Sequence, residues 1–332
     1  MKKRMTAAVL LAVLTAFGAA GCKQNVGTPE DNAVVEQPEE GGENEKTLSG
    51  KVFGFSCADL SNPFYETLEQ SVRTALEEQG GRLVVKDPDG STETQISQIS
   101  QMIEEGISAL FLCPVDETGI TPALEALKEA DVPVVNVDRE VSDTGLITAF
   151  VGSDNYNAGH VCGEDLTAQR PEGGRIVIVE NPDISSYNER ITGFEEAIAD
   201  GGFEVAGRIE AGGGQNITGS LTQMVSAEPE PDAVMCASDQ MAEQVLEVLE
   251  ELDSDDILVY SVDGSPVTKS ALADPGSPME GVGAQSPINM GKTAVKTAAA
   301  VLDGGDYEEE TYVETFFINR ENVEMYGTDG WQ

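Results

Sequence analysis

Short apolar runs alternate with helix-period segments along most of this chain, and that alternation limits its possible folds more than any other feature. After the first apolar run, at residues 52–55, large apolar side chains recur every four residues: Phe64, Leu68, Val72 and Leu76. This spacing places them on one face of a helix. An alternation sustained over so much of a chain predicts an α/β fold with parallel sheets flanked by helices.

Ten apolar runs are predicted to form the strands of these sheets. They are residues 52–55, 83–85, 109–112, 134–137, 147–151, 176–179, 204–209, 233–236, 257–262 and 281–284. The part of the chain that contains them has about 280 residues, a length that usually divides between two cores. We therefore expect two lobes.

Polar and aromatic residues follow the predicted strands in both halves of the chain. They are Asn62, Phe64, Tyr65, Asp138, Arg139, Asn188, Arg190, Ser238, Asp239, Asp263 and Gln285. Because parallel sheets bind ligands at the carboxyl ends of their strands, these residues predict one cleft lined by both lobes.

The residue types in this predicted cleft suit a sugar. Asp138 and Arg139 can each make two hydrogen bonds to neighbouring hydroxyls, although such a pair can also be a surface ion pair. Phe64 and Tyr65 can be core residues at a helix start after Pro63. We expect that the two adjacent rings do not share one core, so that at least one faces the cleft. Aromatic faces against C–H edges, with charged groups against hydroxyls, predict sugar binding.

Catalysis, cofactor binding and nucleic-acid binding are not indicated. The single histidine, His160, lies on a helix-like stretch, and the 60 acidic residues give any one carboxylate pair little weight. Residues 291–293 imitate the end of a phosphate-binding loop, but Ser286 stands where that motif requires glycine. The net charge of −41 repels nucleic acid. We expect a binding protein that is not an enzyme and has no cofactor or metal.

Four cysteines lie within the folded part of the chain: Cys57, Cys113, Cys162 and Cys236. No two have the close spacing of a zinc site, and the chain is too long to be a small disulfide scaffold. We expect buried free thiols that pack as small apolar residues.

The first fifty residues indicate export and a tether. A basic start and an apolar run lead to Gly21-Cys22, and the run is shorter than a membrane span. Residues 1–21 are predicted to be a signal peptide. Cys22 follows the small residues Ala19-Ala20-Gly21 and so resembles the bacterial lipobox, which implies that Cys22 is lipidated; the alternative is a plain signal peptide with an incidental cysteine. Residues 22–49 are acidic and poor in large apolar side chains, which predicts a flexible linker.

Several motifs together resemble one known family, the sugar-binding proteins of bacterial ABC importers, in the ribose-binding branch. The motifs are Ser61-Asn62-Pro63-Phe64-Tyr65, Val135-Asn136-Val137-Asp138-Arg139, Val151-Gly152-Ser153-Asp154-Asn155, Arg190-Ile191-Thr192-Gly193-Phe194, Ser238-Asp239, Val262-Asp263-Gly264 and Gln285. Their shared order and spacing is more specific than any one of them.

The resemblance implies the type I periplasmic binding protein fold, with two Rossmann-like lobes joined by a three-crossing hinge. Lobe 1 would comprise residues 50–152 and 286–311, and lobe 2 residues 153–285 and 312–332. The crossings would lie near residues 152–155, 285–286 and 310–312. The implied ligand-binding residues are Asn62, Phe64, Tyr65, Asp138, Arg139, Arg190, Ser238, Asp263 and Gln285.

Departures from the ribose-binding pattern affect the expected ligand. Ribose binders have Asn at Ser238 and Ser at Ala58, and they have an aromatic residue where this chain has Gly214. Loss of that aromatic wall removes about 1 kcal/mol of stacking. It also opens space, which argues against ribose and favours a hexose, a polyol or a modified sugar.

The expected function is that of a lipid-anchored receptor on the outer face of the cytoplasmic membrane, extracellular in a Gram-positive cell and periplasmic otherwise. It would bind a monosaccharide or polyol as a monomer and deliver it to an ABC permease. The alternative is a sensor that presents the ligand to a receptor kinase or chemoreceptor.

Overall fold

The computed structural model describes residues 48–211, 216–227 and 229–332. The predicted signal peptide, Cys22, nearly all of the linker and Gly214 lie outside the described residues.

The strands include all ten that the sequence predicted, with small shifts at their ends, and two more near the end of the chain. They are β1 Val52–Ser56, β2 Arg82–Lys86, β3 Ala109–Leu112, β4 Val134–Val137, β5 Ala149–Ser153, β6 Gly174–Glu180, β7 Phe203–Glu210, β8 Ala233–Cys236, β9 Leu258–Asp263, β10 Met279–Ala284, β11 Glu310–Val313 and β12 Phe316–Asn319.

Helices follow most of these strands. They are α1 Pro63–Glu78, α2 Thr92–Glu104, α3 Thr121–Glu129, α4 Asn155–Gln169, α5 Ser185–Ile198, α6 Ile217–Val225, α7 Asp239–Glu251, α8 Pro266–Ala273, α9 Pro287–Asp303 and α10 Val323–Tyr326. No helix within the described ranges is both long and apolar enough to cross a membrane.

The strands form two six-stranded sheets. The first has the order β11-β5-β4-β3-β1-β2, and the second has the order β12-β10-β9-β8-β6-β7. Neighbouring strands pair in parallel except β10 and β12, which are antiparallel, in the part of the chain that the structure describes. Each sheet has its own apolar core. The predicted α/β class is therefore confirmed.

Helix α1 shows how the local sequence sets the start and the buried face of an element. The Asn62 side chain caps it by accepting a hydrogen bond from the Phe64 amide at 2.9 Å, and Pro63 occupies the first turn. Leu68 and Leu76 lie on its buried face, as their four-residue spacing predicts.

The described chain passes between the two sheets at three places. Strand β5 is followed by α4, which packs on β10; β10 is followed by α9, which packs on α1; and β11 is followed by β12. The exact boundaries of the two predicted lobes stay a prediction.

Helices α4 and α5 pack so closely that two glycines are required at their contact. A Cβ atom at Gly159 would lie 1.7 Å from the Arg190 carbonyl oxygen, and one at Gly193 would lie 2.0 Å from the Tyr156 carbonyl oxygen. The backbones therefore touch directly, which fixes the position of the first half of α5 against the second sheet.

The four cysteines between residues 57 and 236 are buried, free thiols, as expected. Burial raises the pKa of Cys113 to about 12, so this thiol stays protonated at neutral pH.

Candidate functional site

The nine predicted site residues lie at the carboxyl ends of strands or on the loops and helices that follow those ends. Those that follow strands of the first sheet are Asn62, Phe64, Tyr65, Asp138 and Arg139, and those on the second sheet or its helices are Arg190, Ser238, Asp263 and Gln285. All except the half-buried Asn62, Arg139 and Asp263 are buried. The sequence therefore predicted the edge of each sheet at which polar groups collect.

On the first sheet, Tyr65 and Asp138 form a buried pair. The Tyr65 hydroxyl donates a hydrogen bond to Asp138 Oδ2 at 2.8 Å, and the Arg139 guanidinium lies 6.0 Å from the Tyr65 ring centroid. The other carboxylate oxygen of Asp138 can therefore accept a hydrogen bond from a further donor, beside the Arg139 guanidinium.

The expectation about the adjacent rings was wrong. Phe64 and Tyr65 are both buried in the same apolar cluster, and their rings meet edge to face at 5.5 Å. Successive helical residues point only about 100° apart, so both fit a broad buried face. The Tyr65 hydroxyl reaches the strand ends from within this cluster.

On the second sheet, Asp263 is held by two donors. Arg190 Nη1 lies 3.0 Å from Asp263 Oδ1, and Gln285 Nε2 donates to the same oxygen at 2.6 Å. Arg190 Nε also donates to the Asn155 side chain at 2.9 Å, a contact that the sequence analysis did not assign. The guanidinium is thus fixed from both sides.

A buried carboxylate, Asp239, supports Asp263 from behind. It accepts hydrogen bonds from the Ser261 hydroxyl at 2.5 Å and from the Thr268 hydroxyl at 2.6 Å. Its own amide donates to Asp263 Oδ2 at 3.2 Å. Burial raises the pKa of Asp263, an effect that Arg190 opposes and that Asp239 and Asp138 reinforce.

The two site aspartates have unusual backbone conformations. Asp138 has φ 65° and Asp263 has φ 133°, and the other non-glycine residues with positive φ in the described ranges are exposed aspartates. Positive φ is unfavourable for most side chains and is retained where surrounding structure fixes it. Both carboxylates are therefore held in place by backbone as well as by side-chain contacts.

Groups from the two sheets face each other. Asp138 acts electrostatically on Asp263, and Asp138, Asn155 and Ser185 line one cavity. The amide and hydroxyl of Ser185 both donate to Glu117 Oε1, at 3.0 and 2.8 Å, which joins α5 to the loop after β3. Asp138 and Asp263, which belong to different sheets, therefore lie near each other at the strand ends, and the space between the sheets there is called the cleft.

One buried acceptor in this cleft is unpaired. No atom in the described part of the chain donates a hydrogen bond to Gln285 Oε1. Because an unpaired buried acceptor costs free energy, this oxygen is suited to a donor on a ligand.

Two aromatic residues near the cleft were missed by the sequence analysis. Tyr187 lies on the first turn of α5, with the Arg190 guanidinium 5.1 Å from its ring centroid. Trp331 meets the Phe64 ring edge to face at 5.7 Å, and the buried Lys269 amine donates to the Gly330 carbonyl oxygen beside it. Trp331 follows no strand directly, and the polar stretch that the sequence indicated after β6 begins at Asn188, one residue after Tyr187.

The two sheets, the crossings between them and the cleft at their strand ends define a class of solute-binding proteins. The chain belongs to the family of the periplasmic binding protein domain, whose sequence profile matches residues 53–306. The predicted type I fold and the predicted family are therefore confirmed. As a member of this family the chain is a binding protein and not an enzyme.

Among its relatives are two ribose import binding proteins. The one from Bacillus subtilis is 29% identical over 255 residues, which cover 76% of this chain and 81% of that protein. The one from Escherichia coli is 26% identical over 250 residues, which cover 74% and 82%.

Solved structures share the fold. An ABC transporter solute binding protein from Mycobacterium smegmatis with bound glycerol has a TM-score of 0.75 at 28% identity, covering 83% of this chain and 96% of that one. A protein of the same kind from Actinobacillus succinogenes with bound D-allose has a TM-score of 0.77 at 20% identity, covering 83% and 100%.

Proposed function

We propose that this protein binds a monosaccharide or polyol in the cleft between its sheets and delivers it to an ABC permease. The observation that carries the proposal is the pair of carboxylates, Asp138 and Asp263. Each lies at the end of a strand, each has an arginine beside it, and they approach each other from different sheets.

This arrangement supports recognition of several hydroxyl groups. A carboxylate accepts hydrogen bonds from neighbouring hydroxyls, and a guanidinium donates to them. Gln285 Oε1 adds an unpaired acceptor in the part of the chain that the structure describes. Of the two adjacent aromatic residues, Tyr65 would act through its hydroxyl beside Asp138, and Phe64 would support the Tyr65 ring from within the apolar cluster. Asn62 and Ser238 complete the proposed set.

The relatives support a polyhydroxylated ligand. Two are named as ribose import binding proteins, and two solved structures contain glycerol and D-allose. Ligand binding would select a closed form through contacts to both sheets, and the closed form would dock on the permease.

The first experiment is a thermal-shift panel of pentoses, hexoses and polyols, with mass spectrometry of any ligand that is retained through purification. Arg139→Ala and Asp263→Ala are expected to abolish the stabilisation that the best ligand gives, since each charged hydrogen bond contributes about 1.5–3 kcal/mol. Arg82→Ala is the matched control, because Arg82 is exposed at the start of β2. Full stabilisation in the two site variants would contradict the site.

We further propose that Cys22 is lipidated and that residues 22–49 tether the body to the outer face of the membrane as a monomer. Cys22→Ser is expected to release the protein from membranes and to leave ligand affinity unchanged. Loss of ligand binding in this variant would contradict a simple tether.

The alternative function is a sensor with the same site and a different partner. Transport of the identified ligand by cells distinguishes the two. Deletion of the protein should abolish uptake if it serves a permease; unchanged uptake with a lost response to the ligand would favour the sensor.

A further inference from the structure

We propose that Tyr187 forms the second aromatic wall of the cleft, contacts the ligand and determines which sugar or polyol is accepted. This inference rests on the proposed function and adds a specificity residue to the site.

The position of Tyr187 on α5 directs it to the site. It lies three residues before Arg190, so the two side chains share one face of the helix. The guanidinium that holds Asp263 lies 5.1 Å from the Tyr187 ring centroid, within the range of a cation–π contact. This contact places the Tyr187 ring beside the charged pair of Arg190 and Asp263 on the second sheet.

The hydroxyl end of Tyr187 lies among groups that the cleft uses. Ser238 is within hydrogen-bonding reach, and Asp263 and Arg139 both act electrostatically on the phenol. Burial is the main reason that the pKa of Tyr187 is raised, so the phenol stays neutral and can donate a hydrogen bond. Because Arg139 belongs to the first sheet, Tyr187 lies close enough to that sheet for an electrostatic interaction with it.

A purely structural role is the competing explanation. Tyr187 is half-buried, and part of its ring packs against the apolar core of the second sheet. A residue that served packing alone would not need the Tyr187 hydroxyl, on which Asp263, Arg190 and Arg139 act electrostatically. The hydroxyl is therefore the feature that separates the two explanations.

Ser238 and Tyr187 act together in this proposal. The short Ser238 side chain stands where the resemblance to ribose binders implies an asparagine, and it lies close enough to the phenol to affect the pKa of Tyr187. A ligand would then meet an aromatic face and a hydroxyl where a ribose binder offers an amide. This favours a compact ligand with a C–H edge on that side, and it opposes the earlier expectation of a bulkier one.

The test measures binding of D-ribose, D-allose, D-glucose, myo-inositol and ribitol by calorimetry to the wild type, Tyr187→Phe and Tyr187→Ala. The Phe variant keeps the ring and is expected to bind the best wild-type ligand about 3- to 10-fold more weakly, because one hydrogen bond is lost. The Ala variant is expected to lose at least tenfold and to change the order of preference towards the hexose-sized ligands. Tyr156→Phe and Tyr156→Ala are controls, because Tyr156 is 40% exposed and bonds to Glu196 on the outer side of α4 and α5.

Each outcome of this test either supports or contradicts the role of Tyr187. Unchanged affinities and preferences in both Tyr187 variants would overturn the inference and leave the proposed function intact. If the wild type binds neither these five compounds nor any other member of the panel of pentoses, hexoses and polyols, the proposed function fails, and the inference fails with it. Should Tyr187→Ala not fold, Tyr187→Phe alone decides, since it preserves the packing and removes only the hydroxyl.

Discussion

Asp138 and Asp263 sit at positive φ because each is the residue at which a buried strand turns into the cleft. Aspartate adopts this conformation more readily than most residues, yet neither turn is solvated as an ordinary surface turn is. The surrounding hydrogen bonds from Tyr65, Arg190 and Gln285 hold these side chains in one orientation. A ligand then meets carboxylates that need little rearrangement, which reduces the cost of binding.

Removing the Tyr65 hydroxyl tests this fixed orientation at a single atom. Tyr65→Phe is expected to weaken ligand binding by about 0.5–1.5 kcal/mol, because Asp138 loses a buried donor at 2.8 Å. Calorimetry with the best ligand measures the change. Tyr156→Phe removes a hydroxyl that is also bonded to a carboxylate, at 2.6 Å, and should leave affinity unchanged. Equal effects of the two substitutions would count against the assigned position of Tyr65.

Chain order alone locates a residue at the end of a strand, but it does not give the direction in which a residue on a helix points. Asp138 and Asp263 follow apolar runs directly, so their place at the sheet edge follows from chain order alone. Tyr187 could not be assigned in this way. Its direction depends on how α5 rotates against α4, and this rotation is set by the contact at Gly159, a tertiary feature with no local pattern.

At the scale of elements, the α4–α5 pair links the second sheet to the cleft. Gly159 and Gly193 let the two backbones meet, and the atom nearest to a Cβ at Gly159 would be the carbonyl oxygen of Arg190. Any increase in the distance between these helices would therefore displace a residue of the site directly. Packing and binding are coupled through a single backbone contact.

Gly159→Ala is expected to separate the helices and lower the free energy of unfolding by at least about 1–3 kcal/mol, as overpacking does. Ligand affinity should fall as well, since α5 carries Arg190. Gly219→Ala on α6 is the control: its nearest neighbour would lie 3.6 Å away, and the helix should gain up to about 1 kcal/mol. Urea unfolding measures both. A fully stable Gly159→Ala protein would contradict the close contact.

Strands β11 and β12 were not predicted from the sequence. β11 has two exposed residues among its four and lies at the edge of its sheet, so it lacks the continuous apolar run of a central strand. β12 pairs antiparallel to β10 and is also an edge strand. Long-range pairing, which no local window contains, determines both.

At the scale of the whole molecule, the contact between Glu117 and Ser185 links the half of the protein that contains the first sheet to the half that contains the second. The carboxylate accepts from an amide at the first residue of α5, where the helix dipole favours negative charge. Since the contact spans the cleft, it stabilises the arrangement in which the two sets of site residues face each other. The contact should therefore affect the rate constant of ligand dissociation more than the rate constant of ligand association.

Glu117→Ala is expected to raise the dissociation constant of the best ligand about 3- to 10-fold, the equivalent of about one hydrogen bond, mainly through faster release. Stopped-flow measurement gives both rate constants. Glu125→Ala, at an exposed position on α3, should change neither. Unaltered release by the Glu117 variant would show that the contact does not stabilise the liganded form.

The acidic character of the molecule gives a prediction about pH. Burial raises the pKa of Asp239, Asp263 and Asp165 in the folded state, so the folded protein binds protons more tightly than the unfolded chain. The free energy of unfolding should then increase as pH falls from 8 towards 5, by about 1.4 kcal/mol per pH unit for each group that is titrating. The net charge of −41 acts in the same direction.

Ligand affinity should change in the opposite sense over this range, because protonation of Asp263 removes an acceptor for hydroxyls. Urea unfolding of the free protein and calorimetry with ligand, both at constant ionic strength, measure the two trends. Parallel changes in stability and affinity would show that Asp263 does not bind the ligand as a carboxylate.

The burial of Cys57, Cys113, Cys162 and Cys236 makes the protein suitable for optical labelling. In a Cys22→Ser background these protonated thiols would react slowly with maleimides, so one introduced cysteine could carry a dye selectively. Asp183, exposed on the approach to α5, is a suitable position beside the cleft. A fluorophore there would sense the change in its surroundings when the cleft closes, and the molecule would become a reagentless fluorescent reporter of its own solute.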